Sequence, residues 1–359
     1  MSAPPKIVAG PSALQRGQLY RAAIVGAGTL KGKEVVEMLS ERNFPAADIR
    51  LLDDDESIGQ LEAAGDEINF IQSLRSEQFT NVDFTFFAAD AQSTRNNWKR
   101  ARDAGSAIID LSGALEKEPG AQVRSLWIER EREKMWQPEL QPAPCIVPHP
   151  AAVTLALLLL RARKAGTIRN AVATVFEPAS EQGQKGMDEL HQQTVNLLSF
   201  QTLPKDVFDA QVAFNMVARY GQKSYLSLDS LEARVRRQYQ ELSGADAPQP
   251  AIMMLQPPVF HGNALNLYLE MEQPVNEPRF LEALGREHVT LAATQDDDSQ
   301  PSNVNTAGQP NILVSLKSEV SNPNGIWIWA AVDNLRVAAM TAVECAESMI
   351  ATRPLGKIQ

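Results

Sequence analysis

Two stretches of this chain carry the residue types and spacing that chemistry uses where a strand runs into a helix. In GAGTLKG, Gly26, Gly28 and Gly32 permit a tight turn and close backbone approach, and the helix that follows presents free N–H groups. A pyrophosphate is cradled in this way. A glycine triplet alone also makes a plain tight turn, so its meaning depends on the elements around it. In CIVPHPAAVT, residues 145–154, an apolar strand hands over to a leucine-rich helix. A thiolate nucleophile suits such a junction, because the helix dipole and free amides lower its pKa. The junction offers Pro150, Ala151 and Ala152 instead.

The elements that must position these stretches alternate. A short strand, Ala22 to Val25, precedes the glycine turn and an amphipathic helix follows it. DIRLLDDD reads as a second strand ending in acid at Asp53, and VDFTFFAAD as another. A helix around STRNNWKRARDAG leads into the strand SAIIDL. This alternation calls for a parallel sheet with right-handed crossovers. It predicts a Rossmann-like dinucleotide-binding domain over 19–150, with Gly26, Gly28, Thr29, Leu30, Lys31, Gly32 and Asp53 lining the cofactor. Residues 1–18 lack periodicity and read as a flexible extension. Beyond Ala151, IRNAVATVFEPAS, AIMMLQPPVFHG and NALNLYLEMEQ look like longer strands, and KGMDELHQQTVNLLSF has helical apolar spacing. QDDDSQPSNVNTAGQPN reads as a surface loop, and IWIWAAVDNLRVAAMTAVE as a strand followed by a long helix. The fold class is therefore α/β, with a change of pattern, and a second domain, beyond residue 150.

Composition narrows the function. At 359 residues the chain suits two domains, and a net charge of −10 argues against nucleic acid as a partner. Two cysteines, Cys145 and Cys345, and four scattered histidines, His149, His191, His261 and His288, give no metal-ligand spacing. The apolar run Ala151 to Leu160 falls short of the roughly 20 residues a membrane span needs. A cytoplasmic protein is expected, since no secretory signal pattern opens the chain.

IVGAGTLKGKEVVEMLSERNFP, AIIDLSGAL, KGMDEL and NPNGIWIWAAVDNLRVAAMTAVE together resemble the aspartate-semialdehyde dehydrogenase family, collinearly over about residues 20–350. VNLLSFQTL, AFNMV and PPVFHGNA point to its Usg-type branch. The resemblance implies a second, α+β domain over 151–332 that forms a homodimer, consistent with the apolar strand AIMMLQPPVF. It also implies a last helix, 333–352, that returns to complete the first domain. In the family a cysteine thiolate attacks an aldehyde, hydride passes to NADP, and phosphate releases an acyl phosphate.

Carried over residue by residue, the nucleophile falls on Ala151, the neighbouring glutamine on Glu177, and the general-base histidine on Asn263. The substrate-binding arginine falls on Gln256 and the phosphate-binding arginine on Glu116, where a carboxylate would repel an anion. No catalytic position is intact. This implies a non-catalytic homologue, an amino-acid-biosynthesis relative with a regulatory, sensing or scaffolding role. The alternatives are an NAD(P)-dependent semialdehyde dehydrogenase-type oxidoreductase with altered chemistry, using Glu177 or His261 as acid or base, and an interaction subunit of a larger complex. Cys145 and Cys345 read as packing, and His149 and His261 as hydrogen-bonded loop residues. Family members read Gly-x-Thr-Gly-x-Val-Gly in the glycine turn; here Gly28 and Thr29 are swapped, and Lys31 faces either a phosphate or water. Glu56-Ser57 falls on the family's Arg-Ser pair beside the NADP 2′-phosphate. Acid there disfavours NADP, while Asp53 suits a ribose diol, so NAD is favoured. A solvated acidic turn with no ligand stays open beside it.

Overall fold

The computed structural model describes residues 19–53, 59, 61–64, 67–134, 143–292 and 300–352. The extension 1–18, Glu56, Ser57 and residues 295–299 of the polar loop lie outside the described residues.

The first half runs β1 (Tyr20–Val25), α1 (Leu30–Glu41), β2 (Ala46–Asp53), β3 (Leu61–Ala64), β4 (Glu67–Phe70), β5 (Gln72–Ser73), β6 (Phe84–Phe87), α2 (Ala91–Asp103), β7 (Ala107–Asp110), β8 (Gln122–Val123), α3 (Leu126–Glu131) and β9 (Cys145–Ile146). Seven of these strands form one sheet in the order β5-β2-β1-β6-β7-β9-β8, every neighbouring pair parallel. β3 and β4 pair by themselves as a hairpin. β1 and β6 are fully buried from Ala22 and Phe84 onward, as continuous apolar strands covered on both faces must be. The strand order reverses at β1, which places the glycine turn at the crevice where α/β sheets take ligands.

The second half runs α4 (Pro150–Ala165), β10 (Ile168–Phe176), α5 (Gly183–Leu198), α6 (Leu228–Ser243), β11 (Ala251–Leu255), β12 (Asn263–Met271), α7 (Glu277–Leu284), β13 (Val289–Leu291), β14 (Ile312–Ser318), β15 (Gly325–Val332) and α8 (Asn334–Thr352). Its sheet is mixed, in the order β11-β10-β12-β15-β14-β13. β11 stops at Leu255 because Pro257 and Pro258 follow and have no N–H to give a ladder. On the outer face Val172 is 49% and Met253 50% exposed, and Phe200 beyond α5 is 99% exposed.

Leucine-rich α4 is buried along nearly its whole length and touches α3, α6, α7, α8 and the second sheet. A helix apolar all round belongs at such a centre. α8 packs on α1, held there by ion pairs of Arg336 with Glu34 (2.9 Å) and Glu41, and of Arg42 with Glu347 (2.6 Å). The described part of the polar loop is exposed at Val304 and over 307–310, yet it is tied to the second sheet. Its Pro301 carbonyl accepts from the Trp329 indole at 2.8 Å, and Thr306 is fully buried. Among the described residues no helix is long and apolar enough to cross a membrane.

Candidate functional site

The glycine turn is shaped by main-chain sterics. Gly26 has φ +84°, and a Cβ on Gly32 would stand 2.0 Å from the Gly26 carbonyl oxygen. Thr29 caps α1, its hydroxyl accepting from the Gly32 N–H at 3.0 Å and donating to the Gly26 carbonyl at 2.8 Å. Asp53, expected to receive a ribose diol, turns inward: its Oδ2 accepts from the Gly28 N–H at 2.8 Å. Among the described residues the Leu30 and Lys31 N–H groups have no partner. They lie in the first turn of α1, where orphan amides and the helix dipole favour an anion. The turn therefore fits the pyrophosphate of a dinucleotide, with the Leu30 and Lys31 N–H groups placed to donate to it; the nicotinamide of such a cofactor would supply hydride chemistry.

Lys31, expected to face a phosphate or water, has a partner across the cleft. Its ammonium pairs at 2.8 Å with Glu181, on the turn after β10. Burial pushes the Glu181 carboxyl up, but the Lys31 ammonium and smaller contributions from His149 and Arg234 together outweigh it and hold the carboxyl at about 2.

The strand-to-helix junction places Ala151, 0% exposed, in the first turn of α4. His149 is the N-cap, and its Nδ1 accepts from the Ala151 N–H at 3.2 Å. That donor fixes the proton of the neutral ring on Nε2, which donates to Glu177 Oε1 at 3.1 Å. The other Glu177 oxygen accepts from the Asn263 amide at 2.9 Å. Ala151, Glu177 and Asn263 are thus brought together, with both polar side chains fully buried. Gln256 sits nearby in a closed arrangement of its own, accepting from the Tyr220 hydroxyl at 2.7 Å and donating to the Pro257 carbonyl at 2.7 Å. Burial, then the Glu177 charge, push the Tyr220 hydroxyl up.

Glu116 does not stand bare, contrary to the repulsive anion site expected of it. Arg234 (2.6 Å), Gln238 (2.7 Å) and Arg237, all on α6, surround its carboxylate. Asp110 holds the loop that carries it, accepting from the N–H groups of Ser112 (2.8 Å), Gly113 (3.2 Å) and Leu115 (2.9 Å). Gly113 suits that turn because its φ of +70° is one that other residues rarely adopt. Sequence reasoning singled out none of the α6 residues. The signal was present: positions 234, 237 and 238 share one helix face.

His149 Nε2 and oxygens of Glu177 and Glu181 lie within 4.8 Å of one another, a spacing that suits a metal ion. Two features oppose one. The tautomer leaves no lone pair on Nε2, and Lys31 already supplies the cation that Glu181 needs. His261 lies at the edge of this region, 26% exposed, with Nε2 2.9 Å from Asp333 and Nδ1 3.4 Å from the Ser180 hydroxyl. Burial raises the Asp333 carboxyl, but the His261 contact outweighs it and the carboxyl sits below its ordinary range. Cys145 and Cys345 are buried free thiols, and the Cys145 thiol and burial together push Cys345 up, away from nucleophilic use.

Two family models match the chain: the semialdehyde dehydrogenase NAD binding domain over residues 21–149, and the semialdehyde dehydrogenase dimerisation domain over 159–337. A USG-1 protein homolog of Azotobacter vinelandii is 31% identical over 332 residues, covering 91% of this chain and 97% of that protein. An aspartate-semialdehyde dehydrogenase of Rickettsia bellii is 26% identical, covering 93% and 98%. Among solved structures, a probable aspartate-semialdehyde dehydrogenase from Pseudomonas aeruginosa superimposes with a TM-score of 0.82 at 28% identity, covering 93% of this chain and 99% of that one.

Proposed function

Since the chain belongs to the semialdehyde dehydrogenase family, we infer from its remade site that it is a catalytically silent member. The observation that carries this reading is Ala151, buried at the start of α4 where the family's thiol falls, with its polar neighbours hydrogen-bonded to one another. A methyl group forms no thioester. The residues that would manage a proton and hold two anions are replaced by an amide at 263, an amide at 256 and a neutralised carboxylate at 116. What remains is a homodimer with a dinucleotide-type cleft and a regulatory, sensing or scaffolding role. Its association face is the apolar outer surface around β10 and β11, and it is cytoplasmic. The chain's own residues position and seal: His149 and Asn263 lock Glu177, and Lys31 spans the cleft.

The test follows nicotinamide absorbance with the chain, aspartate semialdehyde, phosphate and either NAD or NADP. No rate above the protein-free mixture is expected. Saturable turnover instead favours the second reading, an oxidoreductase with altered chemistry, for which the His261–Asp333 pair is a positioned base. Any dinucleotide bound is NAD rather than NADP, given the acid at 53–56. Calorimetric titration should show tighter NAD binding, and tighter NADP binding would overturn that preference.

A further inference from the structure

Lys31 stands where two anions compete for it. Among the described residues its backbone N–H, like that of Leu30, has no partner at the start of α1, where a phosphate is drawn. Its side chain, 20% exposed, reaches instead to Glu181 at 2.8 Å, joining the phosphate-binding turn of the first domain to the second. Glu181 depends on that ammonium. Its side chain is 6% exposed, and its Oε2 has no hydrogen-bond partner among the described residues. His149 Nε2 lies 3.9 Å from Glu181 Oε1 and gives its proton to Glu177.

We propose that the Lys31–Glu181 pair is a clasp across the nucleotide cleft: Lys31 is a ligand for the phosphates of a bound dinucleotide, held in reserve by a buried carboxylate. This rests on the dinucleotide reading of the glycine turn and adds its regulation. An ammonium on a flexible stem swings readily between carboxylate and phosphate, because it is a point charge with no fixed fork geometry. Taking it away strands Glu181 in a buried place without a cation, and that penalty is charged against every anion that recruits Lys31. The clasp therefore lowers phosphate affinity and couples anion binding to separation of the two domains at this point. Replacing Glu181 by glutamine keeps a hydrogen-bond acceptor but removes the charge that retains Lys31. Replacing Lys31 by methionine keeps the apolar stem and removes the phosphate ligand.

Calorimetric titration of the full chain with inorganic pyrophosphate, and separately with NAD, tests this on the native protein, Glu181→Gln, Lys31→Met and the double variant. Both probes should bind Glu181→Gln about tenfold or more tighter than the native chain, the gain from a removed desolvation penalty. The double variant should lose that gain and bind no tighter than native. It carries no stranded charge, so it also serves if Lys31→Met alone does not fold. Equal or weaker binding by Glu181→Gln, with the native chain still binding, overturns the clasp and leaves the dinucleotide reading standing. No binding of either probe to any of the proteins overturns both.

Discussion

The turn after β1 and the turn before α4 are built alike, each a strand ending beneath a helix N-terminus, and they differ in what fixes their residues. At the first, Gly26 and Gly32 are imposed by the main chain, since any Cβ on Gly32 meets the Gly26 carbonyl. At the second, the backbone geometry is present but the side chains serve one another: His149 and Asn263 grip Glu177, and the helix starts on a buried alanine. A residue held by backbone sterics is needed whether or not a ligand is bound. The glycine pattern is thus weak evidence for a nucleotide, whereas the exchanged side chains are strong evidence about chemistry.

The largest effect separates the two regions directly. Gly32→Ala should cost about 3 kcal/mol by overpacking, with no dinucleotide present. Denaturant unfolding checks it, and a loss under about 1 kcal/mol would mean the turn relaxes freely and the glycine answers to a ligand. At the other turn, Glu177→Ala strands two buried donors, the His149 Nε2–H and the Asn263 amide, and should cost about 2–3 kcal/mol. Glu177→Gln, whose carbonyl still accepts from His149, should cost less; equal costs would show that the network contributes nothing specific.

A smaller effect sharpens the contrast between buried carboxylates. Glu344 on α8 is 2% exposed, and its Oε2 has no partner among the described residues. Burial raises its carboxyl from 4.5 to about 7, with Arg42 opposing. A raised folded-state pKa gives stability that is complete below 4.5 and lost as pH climbs through about 7. Glu344→Gln should therefore raise stability at pH 8 by about 1 kcal/mol or more, and by nothing at pH 4. A gain that is the same at both values would show that ionisation of Glu344 is not the cause.

The alternation of strands and helices made the first domain legible, because buried parallel strands and capped helices each leave local marks. Ala151, Glu177 and Asn263 could be singled out one at a time, and the structure brings them together around His149. The site was not legible where meaning depends on a distant partner. Glu116 looks repulsive until Arg234 and Arg237 arrive from α6, more than 100 residues on. Asp53 also bonds the Gly28 N–H and Lys31 meets Glu181, contacts that no local pattern announces. The polar loop reads as solvent-facing, yet its main chain is pinned by Trp329.

The most direct test is phosphate-dependent reduction of NAD or NADP with aspartate semialdehyde, run on the native chain and on Ala151→Cys. The new thiol would sit at a helix N-terminus and gain acidity there. It would still lack a base at Asn263, a loss of about 10²- to 10⁴-fold, and guanidinium groups at Gln256 and Glu116 free to hold substrate. These deficits fall on one transition state, so repairing one does not restore the rest. Neither protein should turn over. Turnover by the native chain would contradict the silent reading, and strong activity in Ala151→Cys alone would show that the nucleophile was the only part lost.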